Sequence, residues 1–87
     1  MDNQARIEKM TKLLSEALDP THIEIIDDSH LHAGHVGARS GKGHFTVKIK
    51  SKQFADLKTI KQHQLVYKAL GDMMQTDIHA LVINSSE

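Results

Sequence analysis

Four of the seven histidines and four of the five glycines fall in one stretch, "DDSHLHAGHVGARSGKGH", running from Asp27 to His44. Imidazole nitrogen is a common ligand for zinc, nickel and copper, so His30, His32 and His35, with Asp27 or Asp28 beside them, compose a candidate metal site. The competing reading is a long connection that carries solvated histidines, because a loosely held arm does little to fix ligands in place. Two further histidines sit on regular elements. His63 lies between Ile60 and Val66 or Tyr67 on the apolar stripe of a helix, where a structural ring that packs and bonds to backbone is expected. His79 opens a strand next to a turn, with Leu81 and Ile83 at the same parity, so one ring edge can pack while a nitrogen faces outward.

Other chemistries find less support. "GARSGKG" suggests a phosphate loop, but the pattern GxxxxGK[ST] would need glycine at Val36 and a hydroxyl residue at Gly43. "GHVG" (Gly34 to Gly37) spells the GxxG of KH nucleic-acid modules, yet that clamp joins two helices and here it would join two strands. Cysteine is absent, and neither a Ser-His-acid set nor carboxylates paired inside a pocket can be assembled, so the chain is read as non-enzymatic.

These residues need elements to hold them. Ile7, Met10, Leu14, Ala17 and Leu18 recur at helical spacing after Asp2 or Asn3 as cap, and Pro20 bars continuation, which predicts a helix over residues 3–18. "HIEIID" (His22 to Asp27) is short and β-branched. "HFTVKIK" (His44 to Lys50) alternates Phe45, Val47 and Ile49 with His44, Thr46, Lys48 and Lys50, a half-buried strand with a basic outer face. The two form an antiparallel hairpin joined by the glycine- and histidine-rich stretch. "SKQFADL" gives a short helical turn carrying Phe54. A second helix runs from about Thr59 to Gln75, with Ile60, Val66, Tyr67, Leu70, Met73 and Met74 on one stripe. "IHALVI" (Ile78 to Ile83) is the last strand. The fold class is α+β: an α-β-β-α-α-β order in which a crossover yields a mixed three-stranded sheet backed by helices.

A chain of 87 residues supports one core, so residues 1–87 are read as a single domain. Without thiols there is no disulfide framework, which suits a reducing cytoplasm and obliges any metal to take His, Asp, Glu or a partner's ligands. No apolar run approaches the ~20 residues of a membrane span, and "MDNQARIEKM" lacks the order of a signal peptide, so a cytoplasmic location without a membrane partner is expected. The formal charge of zero conceals asymmetry: residues 1–28 carry net −4, residues 29–68 net +7 and residues 69–87 net −3. The basic middle either guides a polyanion or is a solvated lysine surface.

"IEIIDDSHLHA", "HFTVKIKSKQF", "KQHQLVYKAL" and "IHALVI", in this order and covering nearly the whole chain, resemble the BolA family. The resemblance implies a fold similar to a class II KH domain. It also implies association with monothiol glutaredoxins in iron-sulfur handling and with stress-linked transcription regulation. In that family a histidine opening the last strand and a loop His or Cys help ligate a [2Fe-2S] cluster shared with glutaredoxin and glutathione. The first maps onto His79. The second maps best onto His32, with His30, His35 and His44 as alternatives, and His63 matches the family's helix histidine, with a structural role. Two departures stand out: "FAD" (Phe54 to Asp56) replaces "FxG", and "QHQ" (Gln62 to Gln64) replaces "RHR". Losing two arginines weakens nucleic-acid contacts from this helix.

The leading expectation is therefore an adaptor that binds a monothiol glutaredoxin and shares a [2Fe-2S] cluster with it, none being held tightly by the isolated chain. The alternative is a DNA-binding regulator using Lys48, Lys50, Lys52, Lys58 and Lys61. A third reading is mononuclear zinc or nickel binding by the loop. Weak self-association is left open.

Overall fold

Asp2 sets the start of the first helix: its carboxylate accepts from the Ala5 amide at 2.8 Å, satisfying one of the donors that a helix N-terminus leaves unpaired. The helix α1 (Asn3–Leu18) ends at Asp19, whose left-handed φ of 44° lets its N–H reach back to the Ser15 carbonyl, with Pro20 next. These are the boundaries expected from the sequence. The face turned inward is Arg6, Met10, Leu14 and Leu18, all buried. Ala17, expected on that stripe, is exposed, and the charged Arg6 takes a place on the buried side. The computed structural model describes residues 2–29 and 42–87.

Three strands follow: β1 (His22–Asp27), β2 (Gly43–Lys50) and β3 (Ile78–Ser86). β2 is central, antiparallel to β1 (Ile25 opposite Val47) and parallel to β3 (Val47 opposite Ile83). The sheet is mixed and three-stranded, as expected. Its inner face carries Phe45, Val47 and Ile49, each no more than 1% exposed, while Lys48 and Lys50 on the other face are exposed. β3 runs three residues beyond the expected Ile83, because Asn84, Ser85 and Ser86 pair with Lys48, Ile49 and Lys50 in spite of their polarity.

Between β2 and β3 the chain makes a 3₁₀ turn (Lys52–Phe54), then α2 (Thr59–Leu70) and α3 (Met73–Thr76). Ser51 is fully buried and caps the turn through the Gln53 amide while its hydroxyl donates to the Leu18 carbonyl, fastening the turn to the end of α1. Phe54 thereby enters the core. The single helix expected from Thr59 to Gln75 is broken at Gly71, which takes φ 55° and ψ −128°, a backbone region open essentially to glycine alone. The stripe expected on that helix is also narrower than its apolar residues suggest. Val66, Leu70 and Met73 are buried, but Ile60 and Tyr67 are 65% and 42% exposed. They lie on the flank of α2 turned away from Val66 and Leu70, the residues that meet the sheet and α1.

Candidate functional site

One end of the sheet brings two histidines together. His44 and His79 meet edge to face, with ring centroids 5.0 Å apart and planes inclined by 62°. His44 stands at the start of β2 on the face opposite Phe45 and is 4% exposed. His79 is exposed on β3. A break in strand pairing places it there. Gly43 is opposite Ile78 and His44 is opposite Ala80, so His79 is an extra residue on β3, a bulge. Unbroken alternation would give His79 the inward parity of Leu81 and Ile83, as the sequence reading assumed. With the bulge, Ile78 goes into the core instead, 1% exposed, and His79 turns out beside His44.

A hydrogen-bonded frame holds this end. The Asp28 amide donates to the His44 carbonyl at 2.8 Å, the His44 amide donates to Ser29 Oγ at 3.1 Å, and the Thr46 hydroxyl donates to the Asp28 carboxylate. Asn3 Nδ2 donates both to Asp27 Oδ2 at 3.1 Å and to Ser29 Oγ at 3.0 Å, which ties the start of α1 to the hairpin base. Arg6 extends the frame across the molecule, with Nη1 on Asn3 Oδ1 at 2.8 Å and Nε on Asp77 Oδ1 at 3.2 Å. The Asp77 carbonyl accepts from the Gly43 amide at 2.9 Å, so the residue two before His79 is bonded to the residue before His44. The Thr76 hydroxyl and then the Arg6 guanidinium hold the Asp77 carboxyl below the usual carboxylate range, against the opposing effect of its partial burial. At Gly43 a methyl group would lie 2.4 Å from Cζ of Phe45, so only glycine fits between the strand and that ring.

Asn3, weighed in the sequence only as a helix cap, and Arg6, Ser29 and Asp77 were not marked as site residues by sequence reasoning. Arg6 did carry a signal, being a charge four residues ahead of Met10 in the series Arg6, Met10, Leu14, Leu18, a spacing that returns to the same helix face. Its partner lies 71 residues away and leaves no local trace.

The remaining predicted residues are placed elsewhere or not described. His30, His32 and His35 lie outside the described residues; among the described residues, His44 is the loop-ligand alternative brought against His79. Among the described residues no group of three or more His, Cys, Asp or Glu side chains is placed to hold a metal ion. His63 is half-buried, and with Lys48 and Lys50 it lines an open cavity at the opposite end of the sheet. Lys52, Lys58 and Lys61, on the 3₁₀ turn and at the start of α2, are exposed. The two departures from the family pattern have local explanations. Asp56 adopts φ 64°, the conformation that a glycine there would take without strain. Gln62 donates to the Leu57 carbonyl at 3.0 Å and the Phe54 carbonyl at 3.3 Å and accepts from Ser85 Oγ at 2.6 Å, so it is a clamp between turn, helix and β3.

Comparison with known proteins agrees with this architecture, since the family model for BolA-like protein matches residues 14–86. The chain belongs to the BolA family. Among its relatives, the chloroplastic protein BOLA1 of Arabidopsis thaliana is 40% identical over 83 residues, covering 92% of this chain and 52% of the relative. This BolA-family chain thus spans about half the length of that protein. The DNA-binding transcriptional regulator BolA of Vibrio cholerae is 35% identical over 74 residues, covering 85% of this chain and 67% of the relative. Among solved structures, the BolA domain of SufE1 from Arabidopsis thaliana superposes with a TM-score of 0.82 at 34% identity, covering 94% of this chain and 91% of that one. Among the described residues no helix is long and apolar enough to cross a membrane.

Proposed function

We propose that this chain is a non-enzymatic adaptor that binds a monothiol glutaredoxin and contributes histidine ligands to a [2Fe-2S] cluster shared with it, in iron-sulfur trafficking or iron and stress signalling. The observation that carries this reading is the His44–His79 pair. Two imidazoles 5.0 Å apart at one sheet end are a donor set, but an incomplete one: a structural metal site takes four ligands, and no third candidate joins them among the described residues. An incomplete set suits a group shared between two proteins. Two histidines on one iron, with thiolates on the other, are a known way to hold such a cluster, and a chain without cysteine must draw the thiolates from its partner. His79 is the accessible donor and His44 lies behind it, while His32 remains the other loop candidate. The frame of Ser29, Asn3, Arg6 and Asp77 fixes the strand ends that carry the pair. A cysteine-free chain of this kind suits a reducing compartment such as the cytoplasm.

The test mixes the chain anaerobically with a cluster-loaded monothiol glutaredoxin and follows visible circular dichroism and size-exclusion mass for wild type, His79→Ala, His44→Ala and His32→Ala. The expected result is a 1:1 complex with an altered spectrum that His79→Ala abolishes; the other two variants identify the second ligand. Absence of both complex and spectral change would refute the adaptor reading.

A second reading, DNA-binding regulation, is favoured by the bacterial relative's name and by the exposed Lys48, Lys50, Lys52, Lys58 and Lys61. Five phosphate contacts would give a log–log salt slope of about −4 to −5, whereas loss of binding at physiological salt with no sequence preference would sink this reading.

A further inference from the structure

β3 forms one edge of the sheet, and among the described residues its backbone pairs with β2 alone. The Ser86 carbonyl accepts from the Ser51 amide at 3.0 Å, which fixes the alternation along the strand. Ser86, Asn84 and Val82 turn N–H and C=O toward β2, so Leu81, Ile83 and Ser85 turn theirs to the open side. Natural sheets guard such an edge with lysine, proline or other charged residues, because unpaired main-chain groups are a template for another strand. The opposite edge, β1, is guarded in this way: it contains Glu24 and Asp27, with Pro20 just ahead. From Ala80 to Ser86 there is neither a charged residue nor a proline, and the bulge at His79 lies before this stretch.

The open edge has an apolar overhang. α1 packs on β1 and against α2, and α2 packs on β3, so the flank of α2 turned away from α1 stands over the edge. At about 100° per residue, with Val66 and Leu70 inward, Leu65 and Ala69 occupy one flank of α2 and Ile60 and Tyr67 the other. Leu65 and Ala69 pack against the core, which marks theirs as the flank that α1 closes, and the exposed Ile60 and Tyr67 fall on the side of the edge. The right-handed crossover general to parallel strands gives the same assignment. Lys61 and Lys68 each follow one of these residues and are exposed at the rim of the overhang. With Lys58 they belong to a stretch, residues 57–71, that contains no carboxylate, and among the described residues none of the three forms an ion pair.

These features define an occupant. Main-chain donors and acceptors repeating roughly every 6–7 Å are matched by another extended backbone. The overhang rewards apolar side chains on the helix side of that backbone, and the basic rim favours carboxylates beside them. A second copy of this chain fits poorly. Two β3 strands joined edge to edge would stand about 4.7–4.9 Å apart and carry their α2 helices to a similar separation, where packed helices need about 8–10 Å. We propose that the β3 edge from Ala80 to Ser86 takes an extended, acidic segment of a partner protein as a fourth strand. Its main chain bonds to Leu81, Ile83 and Ser85, its apolar side chains lie under Ile60 and Tyr67, and its carboxylates meet Lys61 and Lys68. The site uses neither histidine of the pair and is independent of the cluster-adaptor reading.

The experiment follows amide shifts and hydrogen exchange of the 15N-labelled full chain with a capped peptide, Glu-Thr-Val-Thr-Val-Thr-Glu, which presents both valines between glutamates on one face. Without peptide, the Leu81, Ile83 and Ser85 amides are expected to exchange faster than those of Val82 and Asn84, which bond to β2. Millimolar peptide is expected to shift these three amides saturably and slow their exchange. N-methylating the peptide at every second residue is expected to abolish binding in one phase and spare it in the other, since an added strand pairs through one edge only. The I60S/Y67S double variant, altered only at exposed positions, keeps the wild-type spectrum elsewhere and loses affinity about tenfold or more, the effect of removing two apolar contacts. No response at Leu81, Ile83 and Ser85, equal binding by both methylated peptides, or unchanged affinity in the double variant would overturn the proposal. So would a doubled mass without peptide that already protects these amides, which assigns the edge to a second copy. A single-stranded oligonucleotide that displaces the peptide at far lower concentration would assign it to nucleic acid and likewise overturn the proposal.

Discussion

Removing the Asp77 carboxylate tests how the histidine end is held. Arg6 and Asp77 side chains are 11% and 13% exposed and meet at 3.2 Å, so Asp77→Ala leaves a nearly buried guanidinium with Asn3 as its remaining partner. Breaking a fully buried ion pair from one side costs roughly 3–5 kcal/mol; discounted for partial exposure, about 2–4 kcal/mol is expected here. A domain of this size has about 4–13 kcal/mol in all, so the variant loses a large share of it. Asp77→Asn keeps the shape and an oxygen facing Arg6 but not the charge, and is expected to lose about 1–2 kcal/mol. The pH dependence separates charge from packing. The Asp77 carboxyl is held below its ordinary value of about 3.9, so its contribution is complete above that pH. It fades as pH falls through the lower folded value, because there the unfolded chain binds the extra proton. Urea unfolding followed by far-ultraviolet circular dichroism, at neutral pH and across about pH 5 to 3, reads both effects. Wild type should lose stability more steeply than Asp77→Asn on the acid side. If the two fall in parallel, and neutral-pH stability is unchanged in Asp77→Asn, the ion pair does not hold this end and the reasoning fails.

Gly43→Ala would drive a methyl group onto the Phe45 ring, which is 1% exposed and has no room to yield, for an expected loss of about 1–3 kcal/mol by thermal or urea unfolding. The ring-proton shifts of His44 and His79 should move with it, since Gly43 adjoins the pair. Gln62→Ala removes two donations to carbonyls and the acceptor for Ser85, and should lower stability by about 1–2 kcal/mol in the same assay. Gln62→Arg, which restores donors but not the acceptor, should lose less; equal losses would show that the Ser85 bond dominates.

What the sequence made legible was whatever rests on local chemistry. Asp2 and Pro20 bracket α1, and the period-two pattern of Phe45, Val47 and Ile49 names the inner face of β2, because caps and alternation act over a few residues. Features set by distant partners were hidden. Arg6 is a buried member of an apolar stripe only because Asp77 waits at the other end of the chain. Gly71 ends α2 while Met73 and Met74 prolong the apolar period beyond it, so the break was masked. Ile60 and Tyr67 fit the helix period but remain exposed. At the candidate site, His79 was legible as a residue to watch. Its contact with His44 was not, since it depends on one extra residue in β3 that alternation cannot reveal.

That extra residue divides β3 into two stretches of different phase. Ile78 and Ile83 are five positions apart, an odd interval that would put them on opposite faces of a regular strand, yet both are buried. The phase slip at His79 lets the stretch from Leu81 onward follow the core while the first residues answer to the histidine end. Substitution of the exposed His79 side chain removes no core contact, and deletion of the residue would leave Ile78 opposite Gly43 and Ala80 opposite His44, a regular ladder with Ile78 still turned inward and only the bulge lost. The core on either side of this position is therefore indifferent to it, and the extra residue serves the histidine end alone.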